Sequence, residues 1–380
     1  MEFRCVQTIE EIPAETWDRL AGTDSPFLRH AFLAALERHG CVGAGTGWYP
    51  RHLLLEQAGQ LLAAAPLYLK TNSYGEFVFD WGWAQAYRRS GLEYYPKLVS
   101  AIPYTPAQGP RLLVADDDPR AQPHRQALVD ALLVVAAESE VSTLHCLFLQ
   151  HPDHSALTEA GLATRLSCQF HWHNRGYHSF EDYLGALVSK KRKNIRRERR
   201  LVAEAGLELA TVRGAELSVH EWATVHALYR DTFERLGGLA TLTLPFFREA
   251  ARTLAEQLLV TIARRHGDIV AAAIMWRGRE VLYGRHWGCF ESHDALHFEA
   301  CYYRGIEYCI EQGLARFEPG AQGEHKLARG FLPVLTRSSH WVAHAGYRRA
   351  VADFASREDE AVRAYAEELE EHSPYREEPA

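Results

Sequence analysis

The sequence predicts a mixed α/β protein, an α+β arrangement of two related halves, each a mostly antiparallel central sheet flanked by helices. Three observations carry this. Short apolar runs of strand length alternate with longer runs of helical period. The order of three strands, a helix and a further strand occurs twice along the 380 residues. The two occurrences also share short phrases, a Trp-Gly pair closing the third strand (Trp81-Gly82 and Trp287-Gly288) and a Pro followed by Ala-Gln-Gly (Pro106 to Gly109 and Pro319 to Gly323). Repeated phrases in one order favour an internal duplication.

In the first half the expected strands are His52 to Glu56, Leu61 to Leu69 and Glu76 to Trp81. The Gln57-Ala58-Gly59-Gln60 step reads as a hairpin turn. A helix from Tyr87 to Ala101, a short strand from Arg111 to Val114 and a helix from Pro119 to Glu138 follow. Thr143 to Leu149 is the next strand, and Asp153 to Ala160 a short helix. Leu166 to Arg175 is a strand-like connector. In the second half, Leu258 to Arg264, Ile269 to Trp276 and Val281 to Trp287 form an antiparallel meander through His266-Gly267-Asp268 and Arg277-Gly278-Arg279. A helix from Ala295 to Gln312 stops at Gly313, and Leu314 to Glu318 is a strand. Phe331 to Leu335 and Ser338 to His344 read as further strands, and Ser356 to Glu371 as an acidic closing helix. The resulting boundaries are 1–165, 166–335 and 336–380.

One stretch stands apart from the overall charge. Ser189 to Arg200 carries eight Lys or Arg and one Glu in a chain whose formal net charge is -7. Ser179 with Asp182 three residues on is a helix-start signature, Gly206 a stop, and a break falls near Ser189. Leu184, Val188, Ile195 and Val202 form one apolar stripe, so Lys190, Lys193, Arg197 and Arg200 share the opposite side with Arg192, Arg196 and Arg199 beside them. A solvated helix face is the plain alternative. Against it, almost no acidic residues are interleaved to neutralise the block, which makes it a candidate polyanion site.

Composition bounds the rest. Hydrophobic residues at 47% and charged residues at 24% describe a globular protein long enough for two cores. Glu2, Arg4, Glu10, Glu11 and Glu15 interrupt the first twenty residues, so no signal peptide is expected. No apolar run has the roughly 20 residues needed to span a bilayer. The seven cysteines lack any C-x-x-C pair and read as reduced thiols, which predicts a cytoplasmic location. His293 with His297, and His171 with His173, have spacings that metal sites use. With 20 histidines such pairs are expected without meaning, and no metal site is predicted.

Several phrases carry a resemblance. Phe180-Glu181-Asp182-Tyr183-Leu184 followed by Ser189-Lys190-Lys191-Arg192-Lys193-Asn194-Ile195-Arg196-Arg197 is similar to the leucine, basic, N-I-R pattern of the Fem family. Ala300 to Gly313, then Phe317, Pro319-Gly320 and Arg329-Gly330-Phe331, resembles the helix, strand and late G-F of that family. The phrases F-E-A-C-Y-Y-R-G-I-E-Y-C-I and F-E-P-G-A-Q-G-E-H-K look like its FemAB-like branch of N-acyltransferases. The resemblance implies two tandem GNAT-like lobes of the Fem type, the first on the acceptor side and the second, with the basic helix, on the donor side. It implies acyl transfer to an amine, in Fem enzymes an aminoacyl group passing from charged tRNA to a peptidoglycan precursor. Acyl-CoA is the competing co-substrate, and a binding module without chemistry the second alternative. No tightly bound cofactor is expected.

That chemistry requires a neutral amine, a polarised carbonyl and a protonated leaving group. Glu324, His325, Lys326 and Arg329 crowd one loop after a strand. Lys326 or Arg329 suits a developing oxyanion, and His325 or Glu324 suits the proton. The family's lysine before the late G-F falls nearest Ala328 here, with Lys326 and Arg329 flanking it. His286 on the third strand is a further catalytic candidate. The donor candidates are Lys190, Lys191, Arg192, Lys193, Arg196 and Arg197, whose charges suit tRNA phosphates. The Gly288 to Asp294 stretch, with one glycine, makes a poor cradle for the CoA pyrophosphate. For the acceptor, Trp81, Trp83 and Tyr104 offer rings for a uridine or sugar to stack on, with Gln108 and Gln322 in the two Ala-Gln-Gly loops.

Overall fold

The computed structural model describes residues 1–22, 24–321 and 323–376 and divides into two compact units, Met1–Cys168 with Leu335–Tyr365, and Gln169–Val334 with Ala366–Ala380. Residues 336–380 are therefore not a unit of their own. The strand that Leu335 enters pairs inside unit 1, and Tyr375 packs in the core of unit 2.

Unit 1 starts with β1 (Glu2–Val6), α1 (Ala14–Ala21), α2 (His30–Arg38), β2 (Trp48–Pro50), β3 (His52–Gln57), β4 (Gln60–Ala65) and β5 (Tyr68–Lys70). Gln57 pairs with Gln60, and Ala58 and Gly59 both have positive φ (50° and 77°), so the expected hairpin turn is there. The expected strand Leu61 to Leu69 breaks at Pro66, whose missing N–H cannot join a ladder. Next come α3 (Trp81–Arg89), β6 (Lys97–Ser100), β7 (Leu113–Val114), α4 (Ala121–Glu138), β8 (Thr143–Leu149), α5 (His151–Glu159) and β9 (Ala163–His173). Strands β1, β3, β4 and β7 make one sheet, and β8, β6, β5 and β2 follow one another in a second.

Three expectations fail in this unit. Glu76 to Trp81 is not a strand, and the helix placed over Tyr87 to Ala101 ends at Arg89 and gives way to strand β6. Trp81-Gly82 opens α3 whereas Trp287-Gly288 lies in a strand, and the first Ala-Gln-Gly precedes its unit's crossover helix while the second follows it, so neither phrase marks equivalent positions. The cause lies in a row of polar side chains on one face of the second sheet. Lys70 and Lys97 are register partners on β5 and β6, both fully buried. Lys97 donates to Glu76 at 2.8 Å, to Ser73 Oγ at 3.1 Å and to Asp80, pulling residues 73–80 down over the sheet as an irregular strap. Burial opposes the Lys97 charge, but Glu76 and Asp80 outweigh it and the ammonium persists. Burial brings Lys70 down to about 7 and Glu76 up to about 7.

In unit 2 the order is α6 (Phe180–Ala186), α7 (Ser189–Glu204), β10 (Glu208–Arg213), α8 (Val219–Arg235), α9 (Leu244–Thr253), β11 (Leu258–Arg265), β12 (Asp268–Arg277) and β13 (Val281–Cys289). Then α10 (Leu296–Phe298) runs through a π-helical turn, Glu299–Tyr303, into α11 (Arg304–Glu311) and β14 (Arg316–Glu318). Strand β15 (Leu332–Val342) replaces the two short strands expected there, and α12 (Ala345–Glu371) starts earlier than Ser356. The sheet of unit 2 runs β10-β11-β12-β13-β14-β9. Ser179 caps α6 by accepting from Asp182 N–H, and the chain breaks at Leu187 and Val188 before α7. The units share one feature that the repeated phrases did not locate: an antiparallel run ending in a parallel pair with a helix in the connection. The pair is β6 with β8 through α4 in unit 1, and β13 with β14 through α10 and α11 in unit 2.

Replacing Lys97 by Met leaves Glu76 and Asp80 buried without their cation. Chemical denaturation should show the protein destabilised by about 3–5 kcal/mol.

Candidate active site in the second unit

Strands β13 and β14 pair over only three positions, Val281–Tyr283 against Arg316–Glu318. Beyond Tyr283, β14 stops and the chain turns away at Pro319-Gly320, where φ is 100°. Strand β13 continues, and its register with β12 slips so that Ile274 faces His286 and Met275 faces Gly284, leaving Arg285 as the extra residue of a bulge. Gly284 admits the close crossing of the turn, since a Cβ there would come within 3.2 Å of Pro319 Cα. The parted strands border a cavity of about 130 Å³ lined by Gly284, Arg285, His286, Cys301, Tyr302 and Pro319, among others.

The charged groups of this region are perturbed by burial. Lys326, on the 3-10 segment Glu324–Arg329, is 2% exposed and donates to Gly320 O at 2.8 Å. Burial lowers its ammonium to about 8; Cys301 pulls the other way and Arg285 adds to the drop. Arg285 is itself lowered to about 10 by burial, with Glu318 opposing. The His325 ring is lowered by burial and by Lys326 and Arg329, which leaves it neutral at pH 7. Its Nε2 lies 2.8 Å from the Tyr302 hydroxyl, whose proton is retained because burial pushes the phenol well up. Tyr302 and His325 are thus hydrogen-bonded at the cavity wall, and the pair forms a path for a proton. Glu324 is exposed at the start of the segment.

The other two catalytic candidates are held differently. His286 packs its ring 4.8 Å from Tyr229 and burial lowers it to about 3, so it is a neutral imidazole at the cavity edge. Arg329 has a partner at each of its three guanidinium nitrogens. Its Nε donates to Tyr303 Oη at 3.0 Å, Nη1 to His325 O at 2.8 Å and Nη2 to Glu198 Oε1 at 2.9 Å, with the guanidinium 3.4 Å from the Phe298 ring centre. Its donors shape the loop and leave little for an oxyanion. Of the two residues left open by the sequence, Lys326 has one hydrogen-bond acceptor among the described residues, Gly320 O, and Arg329 three.

Helix α7 separates its charges by face. Ile195 and Val202 are buried, Glu198 receives Arg329 and Tyr303, and Arg199 pairs with Glu299 and Glu307. On the outer side Arg196 reaches Glu181. Among the described residues, no ion pair or side-chain hydrogen bond engages Lys190, Lys191, Arg192, Lys193 or Arg197.

The acceptor candidates do not form a group. Trp83 is buried in unit 1, its ring 5.0 Å from that of His340 and 5.4 Å from the Arg165 guanidinium. Tyr104 is buried as well, donating to Cys41 O at 2.8 Å and closing on Gly75, whose Cβ position its ring would fill. Neither ring is free to stack on a ligand, because both are core. Trp81 is exposed, Gln108 half-buried, and Gln322 lies outside the described residues.

Sequence reasoning missed Tyr302, Arg285 and Glu198. Tyr302 sits in the phrase F-E-A-C-Y-Y, and Glu198 is the one acid inside the basic block. No local signal marks a bulge at Arg285. Among the described residues no cluster of three or more His, Cys, Asp or Glu suits a metal ion, and no helix is long and apolar enough to cross a membrane.

Comparison with known proteins supplies a frame. A family model, FemAB-like, described as peptidoglycan biosynthesis/recognition, matches residues 8–377. A search of the curated proteins found no match. Among solved structures, FemX superposes with a TM-score of 0.55 at 13% identity, covering 93% of this chain and 100% of its own. The C-terminal domain of a putative lysylphosphatidylglycerol synthetase from Agrobacterium fabrum superposes with a TM-score of 0.53 at 11% identity, covering 90% of this chain and 95% of its own. A conserved protein of unknown function from Bacteroides thetaiotaomicron reaches 0.54 at 11% identity, covering 90% of this chain and 100% of its own. At such identities these likenesses speak for the fold alone.

Arg329→Met strands Glu198 and frees the loop. Urea unfolding should report a loss of about 3 kcal/mol in unit 2.

Proposed function

This chain belongs to the FemAB-like family, and on that premise we propose that it transfers an aminoacyl group from charged tRNA to the amine of a cell-wall peptide precursor. The observation that carries this reading is the parting of β13 from β14 over a cavity with a buried, weakly basic Lys326 beside it. An open strand edge and a low-dielectric wall are what a carbonyl needs if its developing charge is to be met by fixed donors.

In this reading the acceptor nitrogen attacks the ester carbonyl, forming the C–N bond, and Lys326 as an ammonium meets the oxyanion. His325 takes the proton that the nitrogen sheds. The C–O bond to the ribose breaks as Tyr302 gives its proton to the leaving oxygen and is reprotonated by His325, so the proton count closes. Arg329 and Glu198 position the loop without touching the reacting atoms. His286, which lines the cavity, and the exposed Glu324 take supporting roles in orienting the amine.

The donor assignment rests on α7. Five cations without partners on one helix suit a phosphate backbone. Acyl-CoA fits less well, since Glu291 in the Gly288 to Asp294 loop is engaged with Arg265 and His293, and that loop presents carboxylates where a pyrophosphate would sit.

The test is turnover of purified protein with charged tRNA and an amine-bearing precursor peptide, the amide product read by mass spectrometry. Product from acyl-CoA but none from charged tRNA overturns the donor; RNA binding without product from either overturns the chemistry. Lys326→Met should lower kcat by about 100-fold or more with the fold intact. Because the Lys326 pKa is lowered, the group is cationic below about 8 and neutral above it. Activity should therefore decline as pH rises through that value, and a rate that climbs there would make Lys326 a base.

Replacing Lys190, Lys193 and Arg197 together by Gln should weaken tRNA binding and reduce the slope of log affinity against log salt by about 3. An unchanged slope removes α7 from the donor site.

A further inference from the structure

The strap over the polar row of unit 1 has its polarity reversed. From Glu76 to Trp81 the residues alternate, as in a strand, but those turned inward are Glu76, Val78 and Asp80, each 6% exposed or less, with Ser73 buried upstream of them. Turned outward are Tyr74 (73% exposed), Phe77 (38%), Phe79 (44%) and Trp81 (54%). A surface segment ordinarily keeps its charges in water and its rings inside. Here Lys97 and Lys70 hold the acids below, leaving four aromatic rings above within eight residues. Phe79 and Trp81, both exposed, lie ring to ring with 4.8 Å between centroids.

A second feature adjoins it. Trp81 starts α3, and Gln85 and Arg88 follow at helical spacing on the same exposed side, with Arg89 next to them. Among the described residues neither arginine has an ion-pair partner. Arg88 stands two turns from Trp81, about 10 Å along the helix. The face therefore presents rings at one end and two free guanidinium groups at the other, in a chain whose net charge of -7 would otherwise repel an anionic surface.

We infer that this face docks on an anionic lipid bilayer, the rings of Tyr74, Phe77, Phe79 and Trp81 entering the interfacial layer and Arg88 and Arg89 meeting lipid phosphates. Tyr and Trp favour that layer because each joins an apolar body to a polar handle. Arginines beside it add attraction that weakens with salt. The ion pairs of Lys97 beneath hold the strap in one shape, so the rings are presented already ordered. A soluble sugar stacking on Trp81 calls for one or two rings and no cations, and a protein partner, whose hot spots also join aromatics to arginine, would bind without vesicles and without dependence on lipid charge. The bilayer uses both features.

The full chain is tested by flotation with vesicles of phosphatidylglycerol mixed with phosphatidylcholine, and with vesicles of phosphatidylcholine alone. Binding to the anionic vesicles that falls with added salt is expected. Arg88→Gln with Arg89→Gln should weaken it roughly tenfold or more, and Tyr74→Ser with Phe79→Ser and Trp81→Ser should reduce it to the level of the neutral vesicles. Equal binding by either variant and the parent chain overturns the proposal, as does recovery of the protein with a soluble disaccharide or a protein partner but not with vesicles. Should the aromatic variant fail to fold, hydrogen exchange on the unaltered protein decides. Amides of residues 74–89 should slow when anionic vesicles are added, and unchanged exchange there refutes docking by this face.

Discussion

The guanidinium of Arg329 is the constraint on which the second unit turns. It joins three pieces of chain distant in sequence: Glu198 on α7, Tyr303 in the π-helical turn, and the carbonyl of His325 in its own segment. A buried charge is costly unless it is paired and hydrogen-bonded, and one partner at each guanidinium nitrogen ties these pieces together. The consequence is mechanical. A basic helix that would otherwise be a solvated rod is tied by its inward face to the segment bearing Lys326, and its cations are left facing outward. Glu198 and Arg199, adjacent in sequence, point the helix by opposite charges, the first toward Arg329 and the second toward Glu299 and Glu307.

How much of this was legible follows from where the physics is local. The meander from Leu258 to Cys289 was readable nearly to its ends, because its strands are apolar runs separated by short turns with Gly267 and Gly278. The Ser179 cap and the break before Ser189 were likewise written in a few adjacent residues. Residues 76–101 were not. Their alternation is genuine, but it reports a strap whose inward side chains are acids, and periodicity alone does not tell which side faces the core. The acids are tolerable inside only because Lys97, seventeen residues beyond Asp80, is buried with them. The same limit applies to the site. The loop Glu324 to Arg329 stood out by composition, whereas how Arg329 is held depends on where Glu198 and Tyr303 lie in space. Trp83 and Tyr104 were conspicuous as rings and proved to be core.

The two parallel pairs show one framework put to different uses. In unit 2 the pair parts after three positions and borders a cavity. In unit 1, β6 and β8 carry Lys97 and His145 into a packed polar layer, where His145 meets His340 Nδ1 at 2.5 Å and Tyr94 Oη at 3.1 Å. Burial lowers His145 to about 3, so it serves as a neutral link and not as a charge. The layer spends its polarity on holding the strap.

Strand β15 completes unit 1, yet it arrives late. His145 and its partner His340 are 195 residues apart in sequence, and the whole of segment 169–334 is made between them. During synthesis, β8 must wait with one edge unpaired and with His145 lacking the neighbour that satisfies it. The first unit to leave the ribosome is thus unable to finish before the second has been made. Such an edge is a site for wrong pairing, and long-range closure of this kind is slow. The order of translation and the order of completion run in opposite directions in this chain.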